Sequence, residues 1–206
     1  MADRRHGSPA PETTDTIRSE DWQGRELDGQ RFSRTRFVDV DLTEATGEGA
    51  AFDECVFRSC QLNCTTFSDS AFTNCTFVRC NLFQASFTRC KLVGSMFDGC
   101  TYTLLKVTGG DWSFVGLPGA DLRGVTIEGA RFREADLTGA RCQDACLRDL
   151  DLSGASLHGA DLSTADLRGS DLSSLDPLTA KVAGAVITWE QATVLARGIG
   201  LDVRPE

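Results

Sequence analysis

The chain has 206 residues, a formal net charge of −9 and a pI of about 4.8. This balance excludes a plain nucleic-acid binder, which needs a basic footprint, and a polybasic membrane-surface protein. It suits a partner with a basic groove.

Residues 1–20 hold two prolines, several charges and almost no large apolar residue. They read as a disordered N-terminal tail. They contain no apolar signal core, and no stretch of the chain is long enough for a membrane span. A reducing cytoplasm is therefore expected, with the nine cysteines as small core residues.

From Trp22 to Leu172 every fifth residue is large and apolar, except Gly47 and Cys142. A period of five is neither helical nor that of an isolated strand, so the segment is an internal repeat. The position two before each centre is small: Cys55, Cys60, Cys75, Cys80, Cys90 and Cys100, then Ala120, Ala130, Ala135 and Ala140 among others. The other three positions are polar or glycine. One large and one small inward residue per five describe a narrow, filled tube. Glycines at the last position of many repeats suit corners with positive φ. Bulky Leu105 and Val115 stand at small positions, so local bulges are expected between Tyr102 and Pro118.

After Leu172 the pattern breaks at Pro177. Thr188 and Gln191 form a capping box for a helix that Gly198 or Gly200 ends. Ala192, Leu195, Ala196 and Ile199 make its apolar stripe, and Leu201 with Val203 suggest a short strand. A solenoid end needs covering, so this segment reads as a cap that also suits dimerisation.

Catalytic chemistry finds little support. The only histidines are His6 in the tail and His158 at an outward repeat position, so a His-based triad has no members. No phosphate-binding glycine loop is present. Cys60 and Cys64, and Cys142 and Cys146, have a zinc-compatible gap, but the repeat turns one of the first pair inward and the other outward. No enzyme activity, cofactor or metal is expected. Six aspartates precede centres in the C-terminal repeats: Asp121, Asp136, Asp151, Asp161, Asp166 and Asp171. Each can brace a turn through its local backbone. Together they also place negative charge along the coils, as duplex DNA does.

The repeat, as in AlaAspLeuArgGly at 120–124, resembles the pentapeptide-repeat family. The resemblance implies an all-β solenoid, a right-handed quadrilateral β-helix of about eight coils with a C-terminal α-helical cap. Four repeats make one coil of twenty residues. The chain then divides into a tail (1–20), a β-helix (21–175) and a capping and dimerisation segment (176–206). Phe37, Phe57, Phe77 and Phe97, and likewise Cys60, Cys80 and Cys100, lie twenty apart and should stack. At a strand spacing of about 4.8 Å the rod would be roughly 37 Å long.

The segments at 171–177, 184–192 and 200–205 are similar to the ending of the Qnr proteins. Those at 71–77, 95–100 and 121–124 are similar to the MfpA type. This resemblance implies a bacterial, cytoplasmic homodimer, joined through its C-terminal ends, that mimics DNA, binds DNA gyrase and protects it from poisons such as fluoroquinolones. The six aspartates would face gyrase, and Trp189, Leu195, Ile199, Leu201 and Val203 would form the dimer contact. The unbroken register leaves no room for the projecting loops of Qnr and favours the loopless MfpA arrangement. A self-immunity protein against a gyrase-targeting natural product, or a solenoid scaffold with another partner, are the alternative readings.

Overall fold

The computed structural model describes residues 10–204. Its chain climbs as a four-sided β-solenoid with a C-terminal helix. Three sides carry all-parallel sheets. One has five strands, Asp15–Arg18, Thr35–Val38, Val56–Arg58, Thr76–Val78 and Met96–Asp98. A second has six strands, running from Thr46–Glu48 to Cys146–Arg148, and a third has three, from Arg31–Ser33 to Ala71–Thr73. The fourth side is linked by single bridges such as Asp21↔Asp41 and Asp121↔Arg141. Partners everywhere stand twenty residues apart, for example Phe37↔Phe57 and Ile127↔Leu147. Residues at the same repeat position therefore share a side only when their numbers differ by a multiple of twenty.

The five-residue register becomes a tube because both inward positions are buried. The large centres fill the axis, and the Cys or Ala two before each one fills the corner. The expected phenylalanine column is present: Phe37, Phe57, Phe77 and Phe97 stack at centroid separations of 4.7, 4.7 and 4.6 Å. Phe32, Phe52 and Phe72 form a second stack. Aromatic pairs of this kind add about 0.5–1.5 kcal/mol beyond the area they bury. At Gly47, which lacks a central side chain, the Phe67 ring occupies the space instead; a Cβ there would lie 2.6 Å from Phe67 Cε1.

The cysteines do more than fill space. Cys60, Cys80 and Cys100 direct their thiols at the carbonyls of Phe37, Phe57 and Phe77, one coil back, at 3.4–3.6 Å. Ser95 makes the equivalent bond to Phe72 at 2.7 Å. A small donor at this position thus ties neighbouring coils together, a role that residue size alone does not reveal.

The solenoid extends beyond the sequence-derived boundaries at both ends. Asp15–Arg18 pairs in register with Thr35–Val38, inside the stretch read as a tail. Ile17 is the only large residue of that repeat, and it rests half-buried against the core. The first nine residues of the proposed tail lie outside the described residues. At the other end Lys181 and Val186 still pair with Asp161 and Asp166, although Pro177 interrupts the centres. The helix Trp189–Gly198 has the expected capping box between Thr188 and Gln191. It ends in a Schellman arrangement: Gly200 has φ +87°, and the Gly200 and Leu201 N–H groups donate to Arg197 and Ala196. The short strand expected at Leu201 and Val203 is not formed; residues 201–204 have no ladder partner among the described residues.

The irregular Tyr102–Pro118 segment keeps its register but opens one corner. Bridges link Asn81↔Thr101 and Asp121↔Arg141, yet none joins Thr101 to Asp121. Among the described residues no backbone bond runs from Gly99, Tyr102 or Leu104 to the coil above, nor from the Asp121 N–H to Cys100. The bulky Leu105 and Val115 are accommodated fully inside. Cys100 and Ala120, which flank the open corner, are partly exposed, whereas Cys60, Cys80, Ala140 and Ala160 in the same column are buried.

Candidate partner-binding surfaces

The six aspartates do not form one column. Asp121 and Asp161 share one side, and Asp151 and Asp171 another; Asp136 and Asp166 occupy the remaining two. The correction follows from the coil: repeats five or fifteen residues apart sit on different sides. Five of the six brace a turn, their Oδ1 accepting the N–H two residues on: Asp136 from Thr138, Asp151 from Ser153, Asp161 from Ser163, Asp166 from Arg168 and Asp171 from Ser173.

Cations cover four of them. Asp121 pairs with Arg123 at 2.7 Å and Arg141 at 2.8 Å. Asp151 pairs with Arg133, Asp161 with Lys181, and Asp166 with Arg168 and more distantly Arg148. The Arg168 guanidinium holds the Asp166 carboxyl down at about 2. Arg123 lowers Asp121, while the Ser153 and Ser163 side chains lead in lowering Asp151 and Asp161. These ion pairs are solvent-facing, and each stabilises little. They do neutralise the charge that a partner would meet.

A larger group of uncompensated carboxylates lies elsewhere. On two adjoining sides of the first coils, Glu20, Asp21, Glu26, Asp28, Asp41, Glu44 and Glu48 face outward with only Arg25 among them. None of the seven belongs to an ion pair among the described residues, and Arg25 stacks over the Trp22 ring at 4.1 Å. The aspartate pattern of the C-terminal repeats drew attention away from them, because they occupy several different repeat positions. Only the twenty-residue coil gathers them.

The C-terminal end carries the exposed apolar surface. Trp189 is 82 % exposed, Leu201 57 % and Ile199 47 %. Leu195 and Val203 are only half-exposed, and Leu195 packs against the core, so it helps hold the helix to the rod. Leu178, 79 % exposed, together with Val186 and Val194, belongs to the same end and escapes a reading of the helix stripe alone. Gln191 fixes this arrangement. It is buried, its Nε2 donates to the Leu167 and Ser170 carbonyls at 2.7 Å, and its Oε1 accepts from the Thr188 N–H. These two carbonyls are thereby satisfied, and the helix is tied to the rod through Gln191.

Among the described residues no group of three His, Cys, Asp or Glu side chains is arranged to hold a metal ion, and no helix is long and apolar enough to cross a membrane.

Two family profiles match the sequence: a pentapeptide repeat region at residues 50–132, and pentapeptide repeats (8 copies) at 117–154 and 145–176. No curated protein sequence matches significantly. Among solved structures, full-length QnrB1, a plasmid-mediated fluoroquinolone resistance protein, is similar with a TM-score of 0.58 and 18% identity, over 92% of this chain and 99% of that one. A trypsin-treated QnrB1 variant gives a TM-score of 0.55 and 17% identity, over 94% and 99%. HetL of Nostoc sp. strain PCC 7120, a pentapeptide repeat protein involved in heterocyst differentiation regulation, matches at a TM-score of 0.35 and 19% identity, over 85% and 84%.

Proposed function

The chain belongs to the pentapeptide-repeat family, and we propose that within it this is a binding protein that imitates duplex DNA, engages DNA gyrase as a homodimer and protects it from fluoroquinolone-type poisons. The observation that carries the reading is the pairing of two surfaces on one rigid rod. An apolar end around Trp189 and Leu178 supports a two-fold junction, and a rod of net negative charge supports competition for a basic DNA groove. The full-length likeness of the fold to a fluoroquinolone resistance protein agrees with both.

In this proposal the carboxylates that gyrase meets are chiefly those without a cation: Asp136 and Asp171 of the C-terminal repeats and the Glu20–Glu48 group of the first coils. Asp121, Asp151, Asp161 and Asp166 contribute less, since their charge is already balanced. The protein needs no cofactor and catalyses nothing in this role. Supercoiling by purified gyrase, with and without a quinolone, tests it. The expected outcome is inhibition at high protein concentration or rescue of supercoiling from the drug. Neither effect, with folded protein in excess, refutes the proposal.

A further inference from the structure

Three thiols, Cys60, Cys80 and Cys100, climb one inner corner, one per coil. The Cys80 N–H donates to Cys100 Sγ at 3.4 Å, so the Cys100 sulfur lies directly against the Cys80 backbone one coil below. Coils pair in parallel register on both sides of this corner, at Phe77↔Phe97 and Asn81↔Thr101. Neighbouring α-carbons are therefore about one strand spacing apart, roughly 4.8 Å, inside the 4.4–6.8 Å range that a disulfide spans. Nearly all the corner is sealed by the next coil. Above Cys100 it is not, because the Thr101–Asp121 rung is missing and both Cys100 and Ala120 are partly exposed. A small oxidant thus reaches Cys100 and, through it, one buried partner.

We propose that Cys100 and Cys80 form an oxidation site, at which a hydroperoxide converts the two thiols into a disulfide that staples two adjacent coils. The Cys100 sulfur attacks the peroxide, breaking the O–O bond and giving a sulfenic acid, while the other oxygen leaves as water or alcohol. The Cys80 sulfur then displaces the sulfenic hydroxyl, which departs as a second water with the Cys80 proton. In sum two thiols lose two hydrogens, and the peroxide is the electron acceptor. The Cys80 hydrogen bond holds Cys100 below the ordinary thiol range, which favours it as the attacking sulfur. Cys60 stays out, since Cys80 can take only one partner and only Cys100 is reached from solvent. The remaining partly exposed thiols, Cys64 and Cys146, have no cysteine twenty residues above or below them and stay unpaired.

The test exposes the reduced protein to hydrogen peroxide, alkylates it under denaturing conditions and reads it by mass spectrometry. The expected result is loss of two hydrogens and a cross-linked peptide joining Cys80 to Cys100, reversed by dithiothreitol. Cys100→Ser should abolish it without unfolding the chain, because Ser95 already makes the equivalent bonds, to the Phe72 carbonyl at 2.7 Å and from the Cys75 N–H at 2.9 Å. The double variant Cys64→Ser, Cys146→Ser should leave it intact. Sulfinic acid on Cys100 with Cys80 still free, a cross-link between other cysteines, or no oxidation of Cys100 would each overturn the proposal.

Discussion

Gly110→Ala is the substitution whose cost the coil geometry fixes most closely. Gly110 has φ +89°, and a Cβ there would lie 2.1 Å from the Cys90 carbonyl oxygen and 2.8 Å from its nitrogen. Both obstacles are backbone, so no side chain can rotate away. The coils must separate locally, which opens the Asp111 N–H to Cys90 bond of 2.9 Å and the Lys91↔Asp111 bridge. A left-handed backbone costs an L-residue about 1–2 kcal/mol, and the lost bond about 1 kcal/mol more. With strain between the coils, a total of roughly 2–4 kcal/mol follows. Gly124→Ala is the control: its φ is +65°, but nothing lies within 4 Å of the new Cβ, so it bears only the backbone cost. Urea unfolding followed by circular dichroism separates the two. With a slope of about 2 kcal/mol per molar, Gly110→Ala should unfold roughly 1 M earlier than Gly124→Ala. Equal midpoints would mean that the coil spacing is not the constraint described.

Phe57→Ala removes the ring between Phe37 and Phe77 and should cost about 3–5 kcal/mol, read as a lower calorimetric Tm. Gln191→Ala frees the helix from the Leu167 and Ser170 carbonyls; hydrogen exchange should show lost protection in Trp189–Gly198 while the coils keep theirs. The double variant Trp189→Asp, Ile199→Asp should give monomers by light scattering with an unchanged circular dichroism spectrum, and an unchanged dimer mass would place the junction elsewhere. Asp166, held at about 2 against an ordinary 3.8, contributes stability that is present above 3.8 and lost as pH falls towards 2. Asp166→Asn should flatten the acid limb of stability in that interval.

The sequence announced the tube because a tube of this width accepts one large and one small inward residue per repeat. Trp22 to Leu172 satisfy that demand almost without exception, so side-chain size alone conveys the fold. The ends were less legible for a physical reason. A terminal coil has a neighbour on one side only, so a repeat with one apolar centre, such as Ile17, can join the ladder while its composition still reads as solvated tail. The same holds for Val182 beyond Pro177, where two in-register bridges outweigh one misplaced proline. Leu105 and Val115 suggest bulges between Tyr102 and Pro118, but both are buried, and the corner opens instead where the Thr101–Asp121 rung is missing. Its consequence, a partly exposed Cys100, needed the missing rung to be seen.

The charged surface was the least legible, because charge acts in space whereas the repeat orders residues only along the chain. Asp121 and Asp136 occupy the same repeat position but different sides. Asp28 and Glu48 stand twenty residues apart on one side, the Glu48 N–H donating to the Asp28 carboxylate at 2.8 Å. A repeat position decides whether a side chain points out. The coil decides which other side chains it meets, and the cation one coil away decides whether its charge is spent: Arg141 spends that of Asp121, and nothing comparable spends that of Glu44 or Glu48. An acidic rod therefore need not present its charge where its acidic motif is densest. Its largest group of carboxylates without a cation lies on two adjoining sides of the first coils, at the end away from the exposed apolar residues around Trp189.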